Sequence, residues 1–250
     1  MEMARELHDH YFREAKREGY LSRAAYKLIE IDTRKGVLRR GDCVLDCGAA
    51  PGSWLQVASK RVGPHGLVVG IDRRPIDHVF ELDNVRCVHA DLEEVETERL
   101  LRYLAEDRRP GPSSSAGAAD SSGPASGKRF DVILSDMAPD TSGDHTADHF
   151  ASARLCHAVL DRCGDLLVEG GRLAMKVLEG ESYAELLARC RMLFEKVKGF
   201  VPKASRHKST EIYVLAWGFR GRGAAEADLA GRAAVQPPLP PRPRSTGWAS

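Results

Sequence analysis

The chain reads as an α/β protein of the Rossmann-like type, with a mostly parallel sheet covered by helices on both faces and an antiparallel last strand. Three observations predict this. Short apolar runs alternate with stretches of helical periodicity. The first run passes through a small-residue turn into a helical pattern, VLDCGAAPGSW from Val44 to Trp54. The runs end on aspartates, first Asp46, then Asp72, Asp91 and Asp136, which puts a carboxylate at the strand edge where open sheets bind ligands.

The elements follow in order. Ser22 to Ile31, SRAAYKLIEI, is an amphipathic helix with Ala25, Leu28 and Ile29 on one face and Arg23, Lys27 and Glu30 toward the other. Strands are predicted at Cys43–Asp46, Leu67–Asp72, Arg86–His89, Asp131–Ser135, Arg172–Val177 and Glu211–Trp217. Helices fall near Trp54–Val62, over VETERLLRYLAE, and near Ala151–Leu167 and Ser182–Phe194. Gly170 and Gly171 form the turn into RLAMKV. Only a loop, Gly199–Thr210, precedes the last strand, and without a crossover helix that strand runs antiparallel. Residues 1–220 form a single domain carrying a Gly/Ser/Ala/Pro-rich insertion at about 107–128, and residues 221–250 read as a disordered tail.

Composition narrows the class. A chain of 250 residues with 42% hydrophobic and 29% charged residues has the make-up of an ordinary globular protein with one substantial core. No apolar run approaches a membrane span, and MEMARELHDHYF lacks a signal-peptide core, so no membrane association is expected. The six cysteines contain no C-x-x-C pair and several lie in apolar runs, which points to reduced thiols in a reducing compartment. An intracellular setting is expected; the Ala/Gly/Pro-rich insertion and tail suggest a eukaryotic or GC-rich source, which puts a mitochondrion or other organelle slightly ahead of cytoplasm or nucleus and leaves the compartment open. No obligate protein partner is indicated.

The turn narrows the ligand. No Gly-Lys-Ser/Thr follows it, so it is not a phosphate-binding Walker loop. Pro51 sits where the G-x-G-x-x-G dinucleotide turn needs freedom. A nucleoside cofactor without a pyrophosphate fits better, and S-adenosyl-L-methionine leads. Gly48, Pro51, Gly52, Ser53 and Trp54 would line it. Asp72, twenty positions after Gly52, is placed to take the ribose hydroxyls, and Asp91 to reach the adenine edge. The architecture is therefore that of a class I S-adenosylmethionine-dependent methyltransferase. His145 and His149 have a spacing that a metal site can use, but the loop setting and the lack of a nearby cysteine leave no metal assigned.

Five ordered segments, SRAAYKLIEID, VLDCGAAPGSW, ILSDMAPDTSG, LAMKVLEGE and SRHKSTEIYVLA, resemble the FtsJ-like family of RNA 2′-O-ribose methyltransferases. The likeness runs from about Tyr11 to Phe219, interrupted by the insertion. It implies a Lys-Asp-Lys-Glu catalytic tetrad at Lys27, Asp136, Lys176 and Glu211, and cofactor contacts at Gly52, Trp54, Asp72, Asp91 and Asp136. Methyl transfer from a sulfonium to a ribose hydroxyl is an in-line displacement, so alignment is the main task. The hydroxyl also loses its proton, and a lysine accepts or steers it when neutral. Lys176 is the expected base or hydroxyl-orienting residue.

The resemblance further implies an RNA substrate, with a uridine of large-subunit ribosomal RNA expected first. The tRNA anticodon loop is an alternative, because Asp140 stands where the ribosomal branch usually has Asn. A ribosome-assembly factor whose methylation is secondary is another. Two basic stretches would hold the RNA backbone. One is Arg13, Lys16, Arg17, Arg23, Lys27, Arg34 and Lys35, with aromatic residues between them; the other is Lys196, Lys198, Lys203, Arg206, His207 and Lys208.

Overall fold

The computed structural model describes residues 11–76, 82–107, 128–140, 143–203 and 210–235. Residues 11–17 are helical, and α1 (Ala24–Lys35) follows. Next come β1 (Cys43–Cys47), α2 (Ser53–Val62), β2 (Leu67–Asp72), β3 (Val85–His89), α3 (Thr97–Glu106) and β4 (Phe130–Ser135). The chain continues through α4 (His145–Leu166), β5 (Leu167–Leu178), α5 (Tyr183–Leu193), β6 (Phe194–Phe200), β7 (Glu211–Phe219) and α6 (Arg222–Val235). The strands form one sheet in the order β3-β2-β1-β4-β5-β7-β6. The first five in that order are parallel, and β7 pairs antiparallel with both β5 and β6.

Strand periodicity divides the core. Val44, Val68, Val132, Leu134, Ala174, Tyr213 and Leu215 join α1 and α2 residues on one face. Leu45, Val69, Ile133, Leu173, Met175, Val214 and Ala216 join residues of α3, α4 and α5 on the other. Both layers are buried, which is why the parallel strands read as unbroken apolar runs. Strand order reverses direction between β1 and β4, and that switch point opens a crevice at the carboxyl ends of these two strands.

Three elements differ from the sequence expectation. Helix α4 starts at His145, not near Ala151, because Asp144 caps it: its Oδ1 accepts from the N–H groups of Thr146 (2.9 Å) and Ala147 (3.3 Å). An additional edge strand, β6, occupies Phe194–Phe200, whose inward residues Phe194, Val197 and Phe200 do not alternate as a strand normally does. Part of the expected disordered tail is helix α6. Asp228 on α6 is buried and accepts from Arg189 of α5 (Nε to Oδ2, 2.8 Å), while Arg232 reaches Asp161 of α4 at 2.8 Å. Most of the 107–128 insertion and residues 236–250 lie outside the described residues.

Candidate active site

The alternation that builds the α1/α2 face also aims the polar ends of the strands. Asp46 continues the row from Val44, Asp136 the row from Val132 and Leu134, and Lys176 the row from Ala174. Glu211 and Tyr213 start the row that ends in Leu215. All five thus project from the sheet toward the helix that carries Lys27.

The expected tetrad meets there as two linked pairs. Lys27 Nζ donates to Glu211 Oε2 at 2.7 Å. Lys176 Nζ lies 3.0 Å from Asp136 Oδ1 and donates to the Asp136 carbonyl at 2.8 Å. Tyr213 joins the pairs: its hydroxyl donates to Asp136 Oδ1 at 2.7 Å, and its ring lies under Lys27 Nζ with 5.9 Å to the centroid. Lys27 and Lys176 are buried, 6% and 7% exposed, so both ammonium groups rely on these partners and not on water. Burial pushes the Asp136 carboxyl up, but the ammonium groups of Lys176 and Lys27 and the Tyr213 hydroxyl outweigh it and hold it below the usual carboxylate range. Burial, reinforced by Asp136 and Glu211, pushes the Tyr213 phenol well above its ordinary value.

Tyr213 was absent from the residues that sequence reasoning assigned to the site, and so was Asp46. Asp46 is fully buried at the end of β1, and neither carboxyl oxygen has a hydrogen-bond partner among the described residues. Burial, together with the carboxylates of Asp136 and Asp72, pushes its pKa well up. Asp72 and Asp136 stand at the carboxyl edge of the sheet with Asp46 buried next to them, an acidic setting that suits a cationic ligand. S-adenosylmethionine, with a sulfonium and an ammonium, fits that demand, whereas a pyrophosphate does not.

The glycine turn fits the same ligand. Gly48 and Ala49 N–H groups donate to the Ile71 carbonyl, which hangs the turn from the end of β2. Gly48 has φ +77°, and a Cβ there would come within 2.5 Å of Met137 Cγ, so only glycine lets the β1 and β4 loops approach this closely. Helix α2 has Gly52 at its N-cap and no side-chain cap, so its first N–H groups face the crevice. Pro51 is exposed on the turn. Asp72 Oδ2 accepts from Ala50 N–H at 2.9 Å and its Oδ1 from Arg74 N–H at 2.8 Å, so this carboxylate shapes the turn as well as lining it. Asp91 Oδ1 accepts from Glu93 N–H in a tight turn at the neighbouring strand end.

The side chains of Ser53 and Trp54 point away from the turn. Ser53 Oγ pairs with Ser22 Oγ at 2.7 Å. The Trp54 indole donates to the Ala24 carbonyl at 2.9 Å and packs on Tyr213 with centroids 5.8 Å apart. Trp54 thereby fixes α1, and so Lys27, against the sheet. His149 is buried with both ring nitrogens engaged by Leu178 O and Ser182 N, which leaves none for a metal; among the described residues no cluster of metal-ligating side chains occurs. Asp140 is exposed beside Arg73, at 3.8 Å. Of the basic stretches, Lys196 stacks over Trp217 and Lys35 over Phe200, while Arg206, His207 and Lys208 lie outside the described residues. Among the described residues no helix is long and apolar enough to cross a membrane.

Comparison with known proteins shows the family and the fold. The family model described as FtsJ-like methyltransferase matches residues 20–219. A protein of Syntrophobacter fumaroxidans named ribosomal RNA large subunit methyltransferase E is 41% identical over 213 residues, covering 85% of this chain and 96% of its own length. A protein of the same name from Halobacterium salinarum is 41% identical over 208 residues, covering 83% and 72%. A crystal structure of a putative ribosomal RNA methyltransferase from Plasmodium falciparum superposes with a TM-score of 0.63 at 27% identity, over 81% of this chain and all of that one. Aeropyrum pernix fibrillarin, crystallised with natively bound S-adenosyl-L-methionine, shares the fold at TM-score 0.51 and 17% identity, over 77% of this chain and 75% of its own.

Proposed function

This chain belongs to the FtsJ-like methyltransferase family, and from that premise we propose that it methylates a ribose 2′-hydroxyl of large-subunit ribosomal RNA, at a uridine. It is an S-adenosylmethionine-dependent RNA methyltransferase. The observation that supports the finer reading is the convergence of two ion pairs, Lys27–Glu211 and Lys176–Asp136, bridged by Tyr213, whose hydroxyl bonds Asp136 and whose ring lies under Lys27. The names of the relatives, ribosomal RNA large subunit methyltransferases, support the choice of RNA.

When bound, S-adenosylmethionine supplies an electrophilic methyl group on a sulfonium. The residues of the chain do the rest. Asp72 and Asp136, with Asp46 buried beside them, would compensate the cofactor's positive charge, the turn at Gly48–Gly52 and the α2 N-terminus would hold its polar ends, and Asp91 would meet its base. Lys176 orients the 2′-hydroxyl and, once its own ammonium proton has been released, takes the hydroxyl proton as the oxygen attacks. Asp136 fixes the Lys176 amine through two contacts, so that little reorganisation is needed on reaction. Lys27, steadied by Glu211 and seated over Tyr213, compensates charge on the attacking oxygen.

The test is transfer of labelled methyl from S-adenosylmethionine to intact large subunits, naked ribosomal RNA and tRNA, with Lys176→Ala in parallel. Label on the subunits or ribosomal RNA that vanishes in the variant supports the reading. Label confined to tRNA moves the substrate to the other branch, and full activity of Lys176→Ala removes its assignment.

A further inference from the structure

Strand β5 outruns its neighbour. Its pairing with β4 ends at Ser135–Met175, yet β5 continues to Leu178 and carries Lys176 on that overhang. On its other side it stays paired with β7 through Lys176–Tyr213, Val177–Ile212 and Leu178–Glu211. On the open side, helix α4 takes over with side chains from a single face, His149, Ser152 and Cys156. The Cys156 thiol donates to Lys176 O at 3.0 Å, and Ser152 Oγ accepts from Leu178 N–H at 3.0 Å. His149 makes two bonds: Nδ1–H donates to Leu178 O at 2.9 Å, and Nε2 accepts from Ser182 N–H at 2.9 Å. A carbonyl only accepts and a backbone N–H only donates, so the ring is the neutral tautomer with its proton on Nδ1.

The turn after β5 is moulded on that ring. A Cβ on Gly180 would meet three ring atoms of His149 far inside van der Waals contact, so the backbone lies directly on the imidazole. His149 therefore ties together the strand end that holds Lys176, the turn of residues 179–182 and the start of α5.

We propose that His149 is a positioning residue for methyl transfer: its neutral imidazole latches the turn after β5 to α4 and so holds Lys176 in register with Asp136. This rests on the assignment of Lys176 above. A small displacement of a reacting group lowers rate far more than it lowers binding, so the latch belongs to kcat and not to cofactor affinity.

The experiment compares wild type, His149→Ala, His149→Gln, Gly180→Ala and the double variant His149→Ala/Gly180→Ala, with Lys176→Ala as reference. Methyl transfer to large ribosomal subunits is measured well below each melting temperature, with S-adenosylmethionine affinity by calorimetry. His149→Ala is expected to lower kcat about tenfold or more, the factor two net hydrogen bonds carry, with cofactor affinity within about twofold. His149→Gln, which keeps one acceptor, regains part of the rate. Gly180→Ala slows wild type by pushing on the ring but has little effect once the ring is gone. Full kcat in His149→Ala, or an undiminished Gly180→Ala effect in its background, overturns the latch. The single Gly180→Ala and His149→Gln variants decide the matter should His149→Ala fail to fold. An active Lys176→Ala would instead remove the premise, while an inactive Lys176→Ala beside a fully active His149→Ala removes only the latch.

Discussion

Replacing Tyr213 by Phe isolates one contact in the centre of the site. Tyr213 is fully buried, and Phe occupies the same ring volume against Trp54. The loss is the hydroxyl's 2.7 Å bond to Asp136 Oδ1, while Lys176 at 3.0 Å remains. A hydrogen bond to a charged group contributes about 1.5–3 kcal/mol. For a body of this size that corresponds to roughly 3–12 °C in melting temperature. The pH dependence carries the sharper test. Asp136 is held below its unfolded pKa, so its contribution is present above about pH 4 and is lost as pH falls through the folded value. The variant's Asp136 sits closer to the unfolded value, so wild type and variant differ most near neutrality and converge in acid. Denaturant unfolding followed from pH 7 down through the acid titration of the folded carboxylate reads this directly. A stability gap that stays constant across that range would mean the hydroxyl does not act on the charged carboxylate, and the electrostatic account of the site fails.

Asp46→Asn should separate stability from function. Burial and two neighbouring carboxylates raise the Asp46 pKa, so the folded protein keeps a proton that the unfolded chain releases above about pH 4. That contribution is complete at lower pH and is lost as pH rises toward the folded pKa, by up to about 1.4 kcal/mol per pH unit. The variant should lose this slope in a pH series of unfolding curves while calorimetry shows weaker S-adenosylmethionine binding; unchanged affinity would mean that Asp46 does not face the cofactor. Asp228→Ala tests the packing of α6. Arg189 keeps Asp161 at 2.6 Å but loses a second buried carboxylate, and a cost of roughly 3 kcal/mol is expected in chemical unfolding. A cost near zero would mean α6 adds nothing to the fold.

Strand periodicity made the sheet legible, while the tetrad was legible through the resemblance of five ordered segments to the FtsJ-like family. Asp136 ends an apolar run and Glu211 opens one. Lysine inside LAMKVL made sense only at a strand end with a partner, which Asp136 supplies. Period two also places Tyr213 on the face of Glu211, yet IYVLAW reads as core, and nothing local marks its hydroxyl as the link to Asp136. Asp46 was placed at the ligand-binding edge with the other strand-ending aspartates but given no role of its own, because its orphaned oxygens exist only once β1 is buried between β2 and β4. Trp54 followed its structural role more closely than its place beside the glycine turn suggested, because Ala24 O and Tyr213 draw its side chain toward α1. Strand β6 escaped because its buried residues recur every third position, and α6 because alanine-rich sequence before a Pro-rich stretch looks like tail until Asp228 finds Arg189.

On the proposed function, the Lys176-centred constellation acts on a ribose hydroxyl. The most direct measurement is nucleoside mass spectrometry of large-subunit RNA after reaction with labelled S-adenosylmethionine, comparing wild type with Lys176→Ala. Label is expected in a 2′-O-methyluridine, within a dinucleotide that resists alkaline cleavage, and is expected to be absent with the variant. A labelled methyl on a base, or equal ribose labelling by Lys176→Ala, would contradict that reading.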